Sequence, residues 1–164
     1  MDNIKLANLL FPDVKLTPED LEVQYPPREL PEGARVTRMA PSPTGYLHIG
    51  GLFGALTDVM VAKASKGVSY LRIEDTDKKR EIDDGVSAII KGFEAFGVEF
   101  TEGVTGFGTE KGAYGPYTQS LRVPVYHAVA KRLVENGLAY PCFCTAEELA
   151  EMRGIQHGDC ARIA

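Results

Sequence analysis

The chain has 164 residues, 44% apolar and 25% charged, with a net charge of −5 and three cysteines. That composition suits one ordinary globular domain and argues against a disulfide-stapled secreted module. No apolar run reaches the ~18 residues of a membrane span, and the acidic balance supplies no global field for DNA or RNA.

The N-terminus Met1-Asp2-Asn3-Ile4-Lys5 lacks a basic stretch followed by an apolar one, so no secretory leader is read and a cytoplasmic location is expected. Ile4, Ala7 and Leu10 predict a short helix over Asn3 to Leu10, ahead of Pro12. Thr17-Pro18-Glu19-Asp20 predicts a second helix start, with Thr17 as cap and Pro18 in the first turn. Tyr25 to Pro31 holds three prolines and reads as an extended linker, so residues 1–34 are expected to be an appended arm.

Arg35 to Ala40 is a strand candidate, closed by the turn-rich Pro41-Ser42-Pro43-Thr44-Gly45. From Gly51, Leu52, Ala55, Leu56, Val59, Met60 and Ala62 or Lys63 follow helical spacing, with Gly67 expected as the cap beyond the last turn. Val68 to Ile73 predicts a second strand, leading into Glu74-Asp75-Thr76-Asp77. Asp83 or Asp84 is expected to cap a helix burying Val86, Ile89, Ile90 and Phe93 and ending at Gly97. The glycine-rich stretch Phe100 to Tyr117 reads as a long loop. Ser120 is expected to cap a helix through Leu121, Val125, Val129 and Leu133 that stops at Gly137, with Pro124 tolerated in its first turn. Leu138 to Phe143 predicts a third strand, and Thr145-Ala146-Glu147-Glu148 is a capping box opening one more helix.

Alternating strands and helices at these spacings predict a parallel sheet with right-handed crossovers. Ligands on such sheets sit at the carboxyl ends of the strands, here Ala40 to Gly51 and Glu74 to Asp77. The turn Gly45-Tyr46-Leu47-His48-Ile49-Gly50-Gly51 invites a phosphate-site reading. It is not a P-loop, because Gly51 and Leu52 stand where that loop needs Lys and Ser or Thr. It is not a dinucleotide turn either, because its glycines fail that spacing. What fits is a His-Ile-Gly-Gly turn whose helix N-terminus aims unpaired amides at an anion. Gly50 and Gly51 would then let an adenosine press close, and His48 would donate to phosphate as charge develops.

Arg38-Met39-Ala40-Pro41-Ser42-Pro43-Thr44-Gly45-Tyr46-Leu47-His48-Ile49-Gly50-Gly51, followed by Leu71-Arg72-Ile73-Glu74-Asp75-Thr76-Asp77, closely resembles the bacterial-type glutamyl-tRNA synthetase family of class I aminoacyl-tRNA synthetases. Gly115-Pro116-Tyr117-Thr118-Gln119-Ser120 and Tyr140-Pro141-Cys142-Phe143-Cys144-Thr145 look like further landmarks, and the resemblance runs over Arg35 to Gly154. It implies an α/β fold: the first half of a class I synthetase Rossmann-like parallel sheet with helices on both faces, truncated. Its implied division is an extension over 1–34, half the catalytic domain over 35–140 and the start of an inserted acceptor-binding domain over 141–164. The second signature loop and the rest of the sheet are expected outside this chain, which alone is then not expected to complete the reaction.

By the same resemblance, Arg38 matches the residue binding the substrate's side-chain carboxylate, a task suited to a guanidinium. Ala40 and Ser42 match substrate contacts, Ala40 through its main chain; Glu74 matches the acid for the α-ammonium; and His48, Gly50 and Gly51 match the ATP turn, His48 also being the catalytic position. The implied chemistry is attack of glutamate on the α-phosphorus of ATP, usually with Mg2+, and capture of the adenylate by tRNA(Glu). Glutaminyl enzymes resemble a different loop at 40–45, and glutamyl-queuosine tRNA(Asp) synthetases usually carry Leu at position 76, so the glutamyl reading is preferred to both. A non-catalytic module that binds ATP or glutamate is the alternative from another class.

Several residues take blander readings. Asp75 and Asp77 are read as solvated loop carboxylates, and Lys78-Lys79-Arg80 as a solvated basic face. Lys63-Ala64-Ser65-Lys66 mimics the lysine-serine-lysine signature but lies at the wrong place in the chain, and is rejected. Cys142 and Cys144 begin a zinc site in some relatives, which His157 and Cys160 could complete; a metal-free pair is preferred. His127 reads as a surface or helix-packing residue.

Overall fold

The computed structural model describes residues 2–158, and side chains through residue 153. The first helix, α1 (Asn3–Leu10), is capped by the Asp2 carboxylate, which accepts from the Ile4 amide at 3.2 Å. In α2 (Pro18–Gln24), Thr17 and Asp20 form the reciprocal capping box. Strand β1 (Val36–Met39) leads to α3 (Ile49–Ala64), β2 (Val68–Leu71) and α4 (Gly85–Ala95). A hairpin follows, β3 (Glu102–Gly106) and β4 (Thr109–Lys111), then a 3₁₀ turn (Gln119–Arg122), α5 (Val123–Glu135) and α6 (Ala146–Gly158).

The four strands lie in the order β1-β2-β3-β4. The pairs β1–β2 and β2–β3 are parallel, with Val36 opposite Val68 and Tyr70 opposite Glu102, and β4 returns antiparallel. This is the expected α/β half-sheet. Alternation along β1 turns Thr37 and Met39 toward α3, where the Thr37 hydroxyl donates to the Asp58 carbonyl at 2.8 Å. Their neighbours in register, Ser69 and Leu71, are buried on that face. Ala55, Leu71, Ile73, Ile89, Phe93, Val98, Val104 and Tyr117 form one core cluster, with Phe100 edge-on to Phe93 at 5.3 Å.

The opposite face, carrying Val36, Tyr70 and Arg72, is lined by the arm and by residues 114–122. Residues 25–31 form neither helix nor strand, with the Leu30 amide turning back to the Arg28 carbonyl at 3.1 Å, yet they are anchored. The Tyr25 hydroxyl donates to the Gly115 carbonyl at 2.8 Å, and the Tyr114 hydroxyl returns a bond to the Pro26 carbonyl at 2.7 Å. Arg28 meets Glu102 through two parallel bonds of 2.5 and 2.7 Å while lying over the Tyr114 ring. Further back, Lys131 donates to the Val14 carbonyl, Arg132 pairs with Glu19, and Phe11 meets His127 at 5.6 Å. The arm is thus packed along α5, and His127 is an exposed residue of that helix that also meets the arm through Phe11.

Four local expectations are corrected. Within Phe100 to Tyr117, residues Glu102 to Lys111 form a hairpin, because its glycines permit close pairing rather than prevent it. A Cβ on Gly103, at φ +116°, would stand 2.2 Å from the Leu71 carbonyl oxygen. Leu138 to Phe143 is not a strand: the position beside β2 is filled by β3, and Leu138, Tyr140 and Phe143 are exposed. The left-handed residue ending α3 is Lys66, at φ +56°, while Gly67 is needed because a Cβ would lie 1.9 Å from the Arg35 carbonyl oxygen. Ser120 caps no helix; α5 starts at Val123 with Pro124 in its first turn, and Ser120 is used elsewhere.

Arg28 holds the Glu102 carboxyl below its ordinary range, against burial and with help from Tyr117. Burial and this same carboxylate push the Tyr117 phenol up to about 12. Glu102→Gln should cost about 2–4 kcal/mol at neutral pH, because it leaves a largely buried Arg28 unpaired. The contribution is fully present above the ordinary glutamate value and is lost as pH falls through the depressed one. Thermal melts from about pH 6 to about pH 3 should therefore show a smaller acid-induced loss for E102Q than for wild type. Equal losses would remove Glu102 as a source of acid sensitivity.

Candidate functional site

The turn at the end of β1 is organised by one imidazole. His48 is extended, at φ −106° and ψ 166°, and caps α3. Its Nδ1 accepts from the Gly50 and Gly51 amides at 3.1 and 3.3 Å. An accepting Nδ1 carries no proton, so the neutral ring holds its hydrogen on Nε2, the nitrogen left to donate. This revises the expected geometry. The helix begins at Ile49, and the amides of Gly50 and Gly51 are taken by His48 rather than left open to an anion. What the turn offers a phosphate is the Nε2 hydrogen, together with the positive end of the α3 dipole. A Cβ at Gly50 would stand 3.0 Å from the His48 ring, so this glycine keeps the cap unobstructed.

Beside the imidazole lies a cavity of about 280 Å³ whose lining includes Ser42, Thr44, Tyr46, His48 and Gly51. Buried Pro43 anchors the loop between Ser42 and Thr44: its carbonyl accepts from the Ile82 amide at 2.9 Å, and Gly85 packs so closely that a Cβ would meet that oxygen at 2.7 Å. Gly50, exposed on the first turn of α3, does not line the cavity, and neither does Ala40, the residue after β1.

Beyond β2 the chain continues between two others. The Arg72 amide donates to the Met39 carbonyl at 2.9 Å and the Glu74 amide to the Pro41 carbonyl at 3.0 Å. From the other side, Ile73 exchanges bonds with Tyr117 and Gln119 at 3.0 and 2.8 Å. This brings Arg38 and Glu74 together, with Arg38 Nη1 3.8 Å from Glu74 Oε1. Arg72 Nη2 approaches the same oxygen at 3.9 Å. The site therefore holds two guanidinium groups around one half-exposed carboxylate, beside a cavity headed by His48.

Asp75 is the residue that sequence reasoning misjudged. It is buried rather than solvated, and accepts from the Ser120 amide at 2.8 Å, the Ser120 hydroxyl at 2.6 Å and Lys78 at 3.0 Å. Burial alone would raise its pKa; the bonds from Ser120 and Lys78 outweigh that and hold it below the ordinary value. No local signal marks this contact, since Ser120 lies 45 residues away. Arg72 was passed over as well, although a charge inside the apolar run Val68 to Ile73 was a visible sign.

Lys78 and Arg80 spend their charge within this loop, Lys78 on Asp75 and Glu81, and Arg80 on Asp77. Ser65 closes α3 by donating to the Val61 carbonyl at 2.9 Å and accepting from the Arg35 amide, a structural task that agrees with rejecting the Lys63–Lys66 match. Cys142 and Cys144 are exposed, and their mutual hydrogen bond raises the Cys144 thiol. The side chain of His157, and Cys160 altogether, lie outside the described residues.

Residues 35–162 match the family model described as tRNA synthetases class I (E and Q), catalytic domain. The chain is 53% identical over 151 residues to a glutamate–tRNA ligase of Clostridium perfringens, covering 92% of this chain and 28% of that protein. It is 54% identical over 152 residues to the glutamate–tRNA ligase of Clostridium beijerinckii, covering 93% and 28%. Among solved structures, it resembles a glutamate tRNA ligase from Elizabethkingia meningosepticum in complex with its amino acid. The TM-score is 0.64 at 36% identity, over 79% of this chain and 25% of that one. A glutamate-tRNA synthetase from Elizabethkingia anophelis aligns with a TM-score of 0.65 at 36% identity, over 80% and 26%. The chain thus spans little more than a quarter of the length of these relatives.

The cap and the clamp can be tested by stability alone. His48→Ala should cost about 1 kcal/mol by freeing two amides, and His48→Asn should recover most of it, since Asn is a favoured cap. Ser120→Ala should cost about 1–3 kcal/mol by withdrawing a donor from a buried carboxylate. Denaturant titration measures both, and an unchanged Ser120→Ala would dissolve the proposed clamp.

Proposed function

The chain belongs to the catalytic-domain family of class I tRNA synthetases (E and Q), and from that premise we propose that the protein it represents is a glutamate–tRNA ligase. In this reading glutamate is first activated by ATP and then joined to tRNA(Glu). The observation that carries it is the pairing of a His48-capped helix end with an oppositely charged Arg38–Glu74 couple, one strand apart.

Each charge has a natural counterpart on the substrate. Arg38, half exposed and free to swing, offers two parallel donors to the side-chain carboxylate of glutamate. Glu74 takes the α-ammonium, and the Ser42 hydroxyl and the Ala40 main chain line the passage between them. Held at both ends, the substrate directs its α-carboxylate toward the cavity beside His48, where ATP is seated against Gly51 in the lining and reaches Gly50 on the exposed first turn of α3. Attack on the α-phosphorus forms a new P–O bond, and the bond to the leaving pyrophosphate breaks. His48 donates through Nε2 to a phosphate oxygen as charge accumulates there; no covalent nucleophile is required. Magnesium bound with the nucleotide would supply charge to screen its phosphates. Capture of the adenylate by the terminal ribose of tRNA completes the reaction.

The family match begins at residue 35, which supports treating 1–34 as an extension; in this reading 35–140 is half the catalytic domain and 141–164 the opening of an acceptor-binding insertion. Among the described residues no helix is long and apolar enough to cross a membrane. Free thiols at Cys142 and Cys144 accord with a reducing cytoplasm.

In the full-length ligase, His48→Ala should slow glutamate-dependent ATP–pyrophosphate exchange about 10²–10³-fold, the usual effect of losing a transition-state donor. His48→Asn should be as slow although its cap is restored; a rate within about twofold of wild type would remove His48 from the chemistry. Arg38→Leu should raise the KM for glutamate far more than that for ATP, and equal rises would refute its role in binding the carboxylate.

A further inference from the structure

Arg72 is the charge that this reading leaves without a task. It leaves β2 on the face that carries Tyr70 and Arg38, and its side chain is only 17% exposed, against 47% for Arg38. Its Nη2 donates to the Tyr126 hydroxyl on α5 at 2.7 Å and stands 3.9 Å from Glu74 Oε1. Its Nε is buried with no hydrogen-bond partner. An unmatched buried donor is costly, so stability gives little reason to keep an arginine here.

The two guanidinium groups on Glu74 differ in freedom. Arg38 is half exposed and makes no hydrogen bond that anchors it among the described residues, whereas Arg72 is packed and tied to a helix. If Arg38 were the sole counter-ion of Glu74, its turning toward a substrate carboxylate would strip Glu74 of its partner. With Arg72 in place, Glu74 keeps one. We infer that Arg72, tethered by Tyr126, is a positioning residue of the amino-acid subsite: it holds the Glu74 carboxylate in place for the α-ammonium group and so releases Arg38 for the side-chain carboxylate. The inference rests on the roles given to Arg38 and Glu74 above.

Glutarate, a dicarboxylate without the amino group, separates the possibilities when used as a competitor in ATP–pyrophosphate exchange by the full-length ligase. Arg72→Met should raise the KM for glutamate about tenfold, and Tyr126→Phe about threefold, with the KM for ATP and the Ki for glutarate unchanged. Arg72→Lys should recover part of the loss. In an Glu74→Gln background, Arg72→Met should do no further harm, because the group it positions is gone. A merely structural Arg72 would weaken glutamate, glutarate and ATP together, and that result overturns the inference. So does an unchanged KM for glutamate in both Arg72→Met and Tyr126→Phe; should Arg72→Met not fold, Tyr126→Phe decides by itself. The underlying reading is checked apart. Arg38→Leu must weaken glutarate and glutamate alike, and Glu74→Gln must weaken glutamate alone. If those two hold while the Arg72 and Tyr126 variants behave as wild type, only the inference falls. If they fail, the assignment of the subsite falls and the inference with it.

Discussion

The site depends on the way Ile73, Glu74 and Asp75 are bonded on both flanks. On one side the Glu74 amide reaches the Pro41 carbonyl; on the other Ile73 pairs with Tyr117 and Gln119, and Asp75 is clamped by Ser120. Remove either flank and the carboxylate of Glu74 loses its fixed distance from Arg38 and from the turn below it. Three stretches far apart in the chain thus hold one another in register at the carboxyl ends of β1 and β2, where a parallel sheet leaves room for a ligand.

Buried carboxylates do this joining. Asp75 ties the loop to the 3₁₀ turn that precedes α5, and Glu102 ties the hairpin to the arm through Arg28 and to the loop at 117 through the Tyr117 hydroxyl. Each would be expensive to bury alone, and each is surrounded by donors that favour its charged form. Such contacts specify a geometry because a carboxylate that slipped from its donors would be left buried and unpaired. Apolar packing between the sheet and its helices permits sliding; these bonds do not. The arm is consequently part of the scaffold of the site's rear wall, although the family match starts only where the arm ends.

His48 joins local structure to chemistry in one ring. The nitrogen that caps α3 fixes the tautomer, and the tautomer leaves the second nitrogen as a donor at the positive end of the helix. A residue chosen only as a cap would more simply be Ser, Asp or Asn. An imidazole does the capping and keeps a directed hydrogen on its second nitrogen, the one proposed to meet a phosphate, so an asparagine can part the cap from that proposed role.

The sequence by itself determined what depends on neighbours along the chain. The caps at Thr17 and Thr145, the strands at 36–39 and 68–71, the helices between them and the His-Ile-Gly-Gly turn were legible because each is set by residues a few positions apart. The motifs at 38–51 and 71–77 likewise carried the family. Tertiary structure alone decided the rest. Glycines that signalled a loop became a hairpin because β2 offered Gly103 a close partner, and Leu138 to Phe143 stayed outside the sheet because β3 had filled that edge. Asp75 could be told from a solvated carboxylate only once Ser120, 45 residues on, had folded over it. Arg72 acquired meaning from Tyr126 in the same way, 54 residues downstream. Pairings of this reach leave no periodicity in the sequence; which buried charge meets which donor is fixed only when strands and helices are in register.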